Sequence, residues 1–249
     1  MNKISGIVIA KNEEERIADC LDSLSFCDEI IVVDNASEDR TPQIAERMGA
    51  KVVRVDSSDF SQLRNVGLKQ VTGDWAFYVD ADERVTSELA RNIKYQISNI
   101  KYSEIATYKV IRKNFYLGNH EWPQHEKMER LFRRENLKGW EGKLHESPIA
   151  TGKSGELSGF LLHYTHRNLS QMLKKTIEWS KVEAQLRYDA GHPKMSWWRF
   201  PRVMVSTFVD YYILQKGFKV GTAGLIESMY QAFSIFITYA RLWELQRKR

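Results

Sequence analysis

The sequence predicts an α/β protein with a mostly parallel central sheet, flanking helices and a carboxy-terminal helical extension. Strand and helix patterns alternate four times in the first 80 residues or so, which is typical of a parallel sheet with helical crossovers. The strand segments are nearly continuous apolar runs, as expected of strands buried on both faces. From Leu169 onward the pattern changes to long helices.

The individual elements follow from these patterns in chain order. The predicted strands are 3–10, 29–34, 51–56 and 75–80, and helices are predicted around Ile17–Leu24, from Thr41, around Leu63–Leu68 and from Thr86. Thr41 is predicted as the N-cap, with Pro42 at the first helical position and Gly49 closing that helix. Further strands are predicted at 105–112, 128–134 and 157–165.

Polar side chains collect where the predicted parallel strands end. These ends are Ala10-Lys11-Asn12-Glu13-Glu14, Asp34-Asn35, Asp56 and Asp80-Ala81-Asp82, and Arg64-Asn65 adds donors nearby. Because ligands of parallel α/β sheets bind at the carboxyl ends of the strands, this edge is the candidate site. The acceptors would suit a nucleotide diphosphate with its metal, although the same residue types also form turns and helix caps.

Asp80 and Asp82 are the candidate metal ligands. On a continuing strand they would point the same way, with only Ala81 between them, and a divalent cation would offset their repulsion. An acidic turn before the helix at Thr86 is the alternative. The sequence has no GxGxxG dinucleotide loop and no GxxxxGK[ST] phosphate loop.

On strand 128–134, Arg130 and Arg134 are predicted to share one face with Phe132. This face would be a solvated sheet surface or a cationic wall for an anionic acceptor or the donor diphosphate.

Four segments together resemble the family 2 glycosyltransferases, which have the GT-A (Rossmann-like) fold. The segments are Ile7–Glu14, Val32–Thr41, Arg64–Gly67 and Asp80–Glu83, in that order and spacing. The resemblance implies an inverting single displacement from a sugar nucleotide. It places Asp34 against the base, Asn12 and Glu13 near the base and ribose, Asp82 on the metal, and Asp80 on the ribose or metal. Ala10, Arg64 and Ala81 are assigned to the same donor site.

The segment Trp140–Ser147 resembles the His-Glu element of one branch of this family, where the acid is the base. We therefore expect Glu146 to take the proton from the attacking hydroxyl. His163 follows a predicted strand and is a candidate third metal ligand, with His166 as a weaker one. A lone histidine at a strand end is more often structural than a metal ligand, which is the alternative for both.

The layout as a whole resembles bacterial enzymes that add glucose to the inner core of lipopolysaccharide. It implies UDP-glucose as donor, a heptose hydroxyl on a lipid-anchored saccharide as acceptor, and Mg²⁺ or Mn²⁺ as cofactor. Residues 1–168 would form the catalytic domain, with a donor half (1–98) and an acceptor half (99–168). A peptide or another lipid-linked glycan remains an alternative acceptor, and a non-catalytic sugar-nucleotide-binding protein with a partner-recruiting tail is a further alternative.

The remaining residues, 169–249, would form a helical extension that carries the basic charge. From His192 to Arg249 there are nine Lys or Arg against three acids, which gives this tail a net charge of +6, and residues 1–191 sum to −1. Aromatic and basic residues mixed on such helices favour peripheral contact with the inner membrane face. Packing on the catalytic domain and a homo-oligomer interface stay open as alternatives, and no nucleic-acid motif is present.

The sequence also indicates the compartment. Cys20 and Cys27 match no metal-ligand spacing, no secretory signal begins the chain, and no apolar stretch reaches the length of a membrane span. We expect a cytoplasmic protein with reduced thiols.

Overall fold

The amino-terminal part alternates strands and helices as predicted. We describe a computed structural model, which covers residues 2–99, 104–143, 146–165 and 168–247. Its first elements are β1 (Ile4–Ala10), α1 (Ile17–Ser23), β2 (Glu29–Asn35), α2 (Thr41–Arg47), β3 (Lys51–Val55), α3 (Phe60–Gln70), β4 (Trp75–Asp80), β5 (Glu83–Val85) and α4 (Ser87–Ser98).

The first four strands form a parallel sheet in the order β3-β2-β1-β4. Every residue of β1 is buried, because the strand has neighbours on both sides and helices on both faces. Its side chains alternate between two apolar clusters: Val8 packs with residues of α1, α2 and α4, whereas Ile7 and Ile9 pack with residues of α3. This three-layer arrangement brings the carboxyl ends of the strands to one edge of the sheet.

Antiparallel strands extend the sheet. The strands that follow α4 are β6 (Ile105–Tyr116), β7 (His120–Glu121), β8 (Glu126–Arg133), β9 (Leu137–Glu141), β10 (Ser147–Ala150) and β11 (Lys153–Tyr164). β8 lies antiparallel to both β4 and β6, β11 pairs with β5, and β9 and β10 form a separate ribbon. The predicted α/β class, with a central sheet flanked by helices, is confirmed.

The chain divides into two compact units. One comprises Met1–Lys113 with Glu126–His163, and the other Asn114–His125 with Tyr164–Arg249. Residues 114–125, which the sequence assigned to the acceptor half, group with the helical unit because Trp122 donates a hydrogen bond to Gln215 at 2.9 Å and its ring contacts Tyr211. The boundary after residue 168 remains a prediction from the sequence.

Three helices dominate the second unit. They are α5 (Leu169–Asp189), α6 (Arg199–Val209) and α7 (Gly221–Arg247), with a π-helical turn at Asp210–Leu214 and a 3-10 turn at Gly217–Val220. α7 packs against both α5 and α6, and the hydroxyls of Thr176 and Tyr230 meet at 2.7 Å between α5 and α7. Within the described ranges, no helix is both long enough and apolar enough to cross a bilayer.

Candidate active site

The loops after β1 and β2 are tied together by side-chain hydrogen bonds. The Asn12 amide donates to Ser37 Oγ at 2.9 Å, and the Glu38 amide donates to Asn12 Oδ1 at 2.8 Å. Asn12 and Ala36 both have left-handed backbones, with φ of 55° and 51°. Non-glycine residues adopt this region infrequently and at an energetic cost, and such residues cluster at functional sites.

Thr41 strengthens the same connection and corrects one prediction. α2 begins at Thr41 rather than after it, and Arg40 occupies the N-cap without a side-chain bond. Asp39 takes the capping function, since its Oδ1 accepts from the Thr41 amide at 2.9 Å. Thr41 Oγ1 is therefore available to accept from the Glu13 amide at 2.7 Å, which fixes the backbone of one predicted donor-site residue.

Asp34 presents an acceptor oxygen at the end of β2. The residue is 1% exposed and lies in register with Ala10, the last residue of β1. Its Oδ2 accepts from the Ser37 amide at 3.3 Å, whereas its Oδ1 is buried and has no hydrogen-bond partner among the described residues. A buried carboxylate oxygen without a partner is costly. Asp34 therefore fits a ligand that supplies an N–H or O–H group.

The acidic cluster after β4 differs from the prediction. β4 ends at Asp80, Ala81 and Asp82 form a turn, and Glu83 already begins β5. Because the strand does not continue through Asp82, the alternation rule does not place the two aspartates on one face, and that expectation is wrong. The two side chains instead take different partners.

Asp80 is held between two arginines. Its Oδ1 lies 3.2 Å from Arg64 Nη2 and its Oδ2 lies 2.8 Å from Arg130 Nη2. Desolvation by itself raises the pKa of Asp80, but the guanidinium charges of Arg130 and Arg64 outweigh it and hold that pKa well below its usual value. Asp80 is therefore ionised and already paired with two guanidinium groups.

Glu83, to which the sequence assigned no role, is the buried centre of this charge cluster. The residue is 0% exposed, and its Oε1 accepts from Arg112 and Arg130, each at 3.1 Å. Its Oε2 accepts from the Asp80 amide at 2.9 Å. Glu83 thus holds both the backbone of Asp80 and the arginine that pairs with the Asp80 side chain.

The structure differs from the predicted arginine face on β8 at both of its arginines. β8 ends at Arg133, and Arg134 lies in a short 3-10 turn, Arg134–Asn136. Arg130 is buried and fully engaged with Asp80 and Glu83. An alternating charged and apolar pattern cannot separate a buried ion pair from a solvated strand face. The acids that pair with Arg130, however, lie together in the sequence: Asp80 ends β4 and Glu83 follows three residues later.

Arg64 connects Asp80 to the predicted base. It lies on α3, is buried, and donates from Nε to Glu146 Oε1 at 2.8 Å. Its guanidinium carbon sits 4.9 Å from the ring centroid of Trp140 and 5.6 Å from that of Tyr78. This aromatic support and the bond to Glu146 fix the direction in which the carboxylate is presented. His145, the other half of the predicted His-Glu element, lies outside the described residues.

Asp82 and His163 face each other. Asp82 Oδ2 lies 3.3 Å from His163 Nε2, and both side chains are partly buried. β11 brings the histidine there, since His163 is in register with Glu83 of β5. One carboxylate oxygen and one imidazole nitrogen fit a divalent cation that keeps its other positions for phosphate and water.

No group of three or more His, Cys, Asp or Glu residues in the described ranges is arranged to hold a metal ion. Asp82 and His163 form a pair of metal-ligating residue types, while Asp80 is paired with Arg64 and Arg130. His166, the weaker ligand candidate, lies outside the described residues.

Comparisons with known proteins agree with this architecture. An uncharacterized glycosyltransferase of Rickettsia typhi is 29% identical over 100% of this chain and 89% of its own length. A lipopolysaccharide core biosynthesis glycosyltransferase, LpsC of Rhizobium meliloti, is 24% identical over 97% of this chain and 92% of its own length.

A solved structure gives the same result for the fold. The mannosyltransferase PcManGT of Pyrobaculum calidifontis, solved in complex with GDP-Man and Mn²⁺, superposes with a TM-score of 0.58 at 16% identity. It covers 98% of this chain and 88% of the other, which confirms the GT-A fold class. The family model described as Glycosyl transferase family 2 matches residues 5–155, more than half of the sequence. The chain is therefore a member of the family 2 glycosyltransferases.

Proposed function

We propose that this chain is an inverting, metal-assisted glycosyltransferase that moves a hexose from a UDP-sugar to a hydroxyl of a lipopolysaccharide inner-core heptose. The observation that carries the proposal is a cluster in which Arg64 bonds to both Asp80 and Glu146. Asp82 follows Asp80 by two residues, and its side chain faces His163. A candidate base and a candidate cation site thus share one edge of the sheet.

The donor would lie across the end of β1. Asp34 on β2 and Asp80 on β4 flank that strand, and with strands about 4.8 Å apart the two residues are roughly 10 Å from each other. The unpartnered Asp34 oxygen would accept from the nucleotide base. Asn12 and Glu13 would contact the base and ribose, and the small Ala10 and Ala81 would let the nucleotide approach the strand ends.

Asp82 and His163 would hold the Mg²⁺ or Mn²⁺ of the donor complex. When bound, such a cation would neutralise the diphosphate charge that develops as the sugar departs. The Mn²⁺ and GDP-Man of the mannosyltransferase structure support a cation and a sugar nucleotide as ligands. Arg64 and Arg130 keep the Asp80 carboxylate ionised and in place beside the pair.

Glu146 would act as the general base. Its carboxylate would take the proton of the acceptor hydroxyl while that oxygen attacks the anomeric carbon from the face opposite the diphosphate. The bond to the diphosphate oxygen breaks in the same displacement, which inverts the anomeric centre. The bond from Arg64 would hold Glu146 in position, which matters because a base must lie within hydrogen-bond reach of the proton.

One relative supports the acceptor class. LpsC, the relative from Rhizobium meliloti, is named for lipopolysaccharide core biosynthesis, and the sequence resembles that class. A lipid-anchored acceptor would place the enzyme in the cytoplasm at the inner membrane face, with the extension at 169–249 making the contact.

A transfer assay tests the proposal. UDP-glucose and a heptose-terminated core acceptor are incubated with wild type, Glu146→Gln and Asp82→Ala, and with Glu156→Gln as the matched control on an exposed acid of β11. We expect Glu146→Gln to lower kcat by about 10²–10⁴-fold while leaving UDP binding intact, and Asp82→Ala to abolish turnover and metal-dependent donor binding. Equal loss of turnover and donor binding in Glu146→Gln would refute its assignment as the base.

A further inference from the structure

The outer face of α6 exposes an apolar row. With about 100° of rotation per residue, Trp198, Arg202, Val205 and Val209 fall on one side of the helix. Val205 is 61% exposed, and Trp198 and Val209 are also exposed. Phe200 lies on another side, where its ring packs on Phe236 of α7 at 5.8 Å. The helix therefore packs one half-buried face against its own unit and leaves an apolar face uncovered.

The π-helical turn after α6 prolongs this row. A π-turn advances by more residues per turn than an α-helix, so Ile213 and Leu214 stay near the side that carries Val209. Leu214 is 69% exposed and Ile213 is 50% exposed. At the other end Trp197, which precedes α6, is 82% exposed. We call the exposed residues Trp197, Trp198, Val205, Val209, Ile213 and Leu214 the α6 face.

Basic side chains surround the α6 face, and acids are nearly absent from this stretch. Between residues 190 and 226 the sequence has five Lys or Arg and one acid, Asp210. Arg202, Lys216 and Lys219 are exposed, whereas Asp210 accepts from Gln215 Nε2 at 2.8 Å. Within this stretch the fully exposed charged side chains are thus all basic, and its one acid is half-buried.

This charge pattern decides between two occupants. In a symmetric dimer the same patch of each copy would meet, so Arg202, Lys216 and Lys219 of both copies would approach one another with only Asp210 of this stretch to offset them. Such like-charge contacts disfavour association. An anionic bilayer surface offers both complements: phosphate for the basic residues, and an interfacial region in which tryptophan and aliphatic side chains are buried.

We infer that the α6 face inserts into the headgroup layer of an anionic membrane, with α6 lying in the plane of the surface. This inference rests on the proposed function and assigns its membrane contact to particular residues. The basic residues would sit at the phosphate level while Val205 and Leu214 reach the acyl boundary.

Vesicle sedimentation with the full chain tests this inference without any sugar nucleotide. Wild type is mixed with neutral vesicles of phosphatidylcholine, or with anionic vesicles that contain roughly 30% phosphatidylglycerol in phosphatidylcholine. We expect binding to the anionic vesicles that weakens with added salt. The variant Val205→Asp/Leu214→Asp should bind at least about tenfold more weakly, and Arg202→Gln/Lys216→Gln/Lys219→Gln should lose roughly 100-fold on anionic vesicles.

Tyr95→Asp is the matched control, because Tyr95 is 64% exposed but lies on α4 of the other unit, and it should bind like wild type. Absence of wild-type binding to anionic vesicles would overturn the inference, as would unchanged binding by the Val205→Asp/Leu214→Asp variant. A dimer in solution that this variant dissociates would assign the face to a second copy instead. UDP calorimetry on the same samples shows separately whether the donor site is intact, so a failed membrane result is not confused with a failed glycosyltransferase assignment.

Discussion

Replacing Glu83 by glutamine should destabilise the chain strongly, although the substitution preserves the shape of the side chain. The glutamine would lose the negative charge that faces Arg112 and Arg130 at 3.1 Å each. Its amide NH₂ would also meet a donor, since the carboxylate accepts both from these guanidinium groups and from the Asp80 amide. Removing one partner of a buried ion pair typically costs about 3–5 kcal/mol.

Glu126→Gln is the matched control, because the Glu126 side chain pairs with the same Arg112 but is 44% exposed. An ion pair open to solvent is worth about 0–1 kcal/mol. We therefore expect a gap of roughly 2–5 kcal/mol between the two variants, measured as urea midpoints by tryptophan fluorescence. With an m value of about 1–3 kcal/mol/M, the Glu83 variant should unfold at a midpoint lower by about 1 M or more. Equal midpoints for the two variants would refute the buried-charge account of this cluster.

Three further predictions concern other parts of the first unit. Asp59→Ala should cost about 0.5–2 kcal/mol, because Asp59 Oδ1 accepts from the amides of Ser61 and Gln62 at the start of α3. The Ser61 hydroxyl and these amides hold the pKa of Asp59 below its usual value. The cost should therefore be fully present above about pH 4 and disappear as the pH falls through the folded pKa. Cys20 is 0% exposed and its burial raises the pKa of its thiol above the usual range, so Ellman's reagent at pH 8 should label Cys20 only after urea unfolding, whereas Cys27 is half-buried. Gly67→Ala should cost about 1–3 kcal/mol, because an added Cβ would lie 2.5 Å from Ile7 Cγ2.

Each of these results has a contradicting outcome. Asp59→Asn should retain most of the stability, since asparagine caps equally well, and a pH-independent loss in Asp59→Ala would contradict the ionised cap. Rapid labelling of both thiols in the folded protein would show that Cys20 is accessible. An unchanged urea midpoint for Gly67→Ala would mean that α3 does not pack on β1 as closely as described.

The parallel half of the fold was predictable because buried strands have a distinctive sequence. Ile4–Ala10 is buried along its whole length and therefore reads as an apolar run, and the polar residues that follow it mark the ligand edge. The end of β4 was not predictable in the same way. Whether a strand continues from Asp80 through Asp82 depends on its pairing, and here Glu83 instead pairs antiparallel with His163.

The charge cluster shows a second limit of sequence reasoning. Glu83 and Arg130 look like ordinary surface residues in the sequence, and their burial becomes visible only when β4, β5 and β8 are brought together. The proximity of Asp82 and His163, by contrast, matches the predicted ligand pair, although its role as a metal site stays a prediction. The α6 face could be anticipated as an aromatic and basic segment, but its exposed side required the packing of α6 on α7.

Calorimetric titration of the wild-type chain with UDP, in Mn²⁺ and again in EDTA, tests the central claim most directly. GDP, CMP and TDP serve as comparison ligands. The account predicts UDP binding that disappears in EDTA, because Asp82 and His163 would hold the cation that links the protein to the diphosphate. No nucleotide binding under any of these conditions would contradict it, and the acidic residues at the strand ends would then be turn and cap residues without a donor to bind.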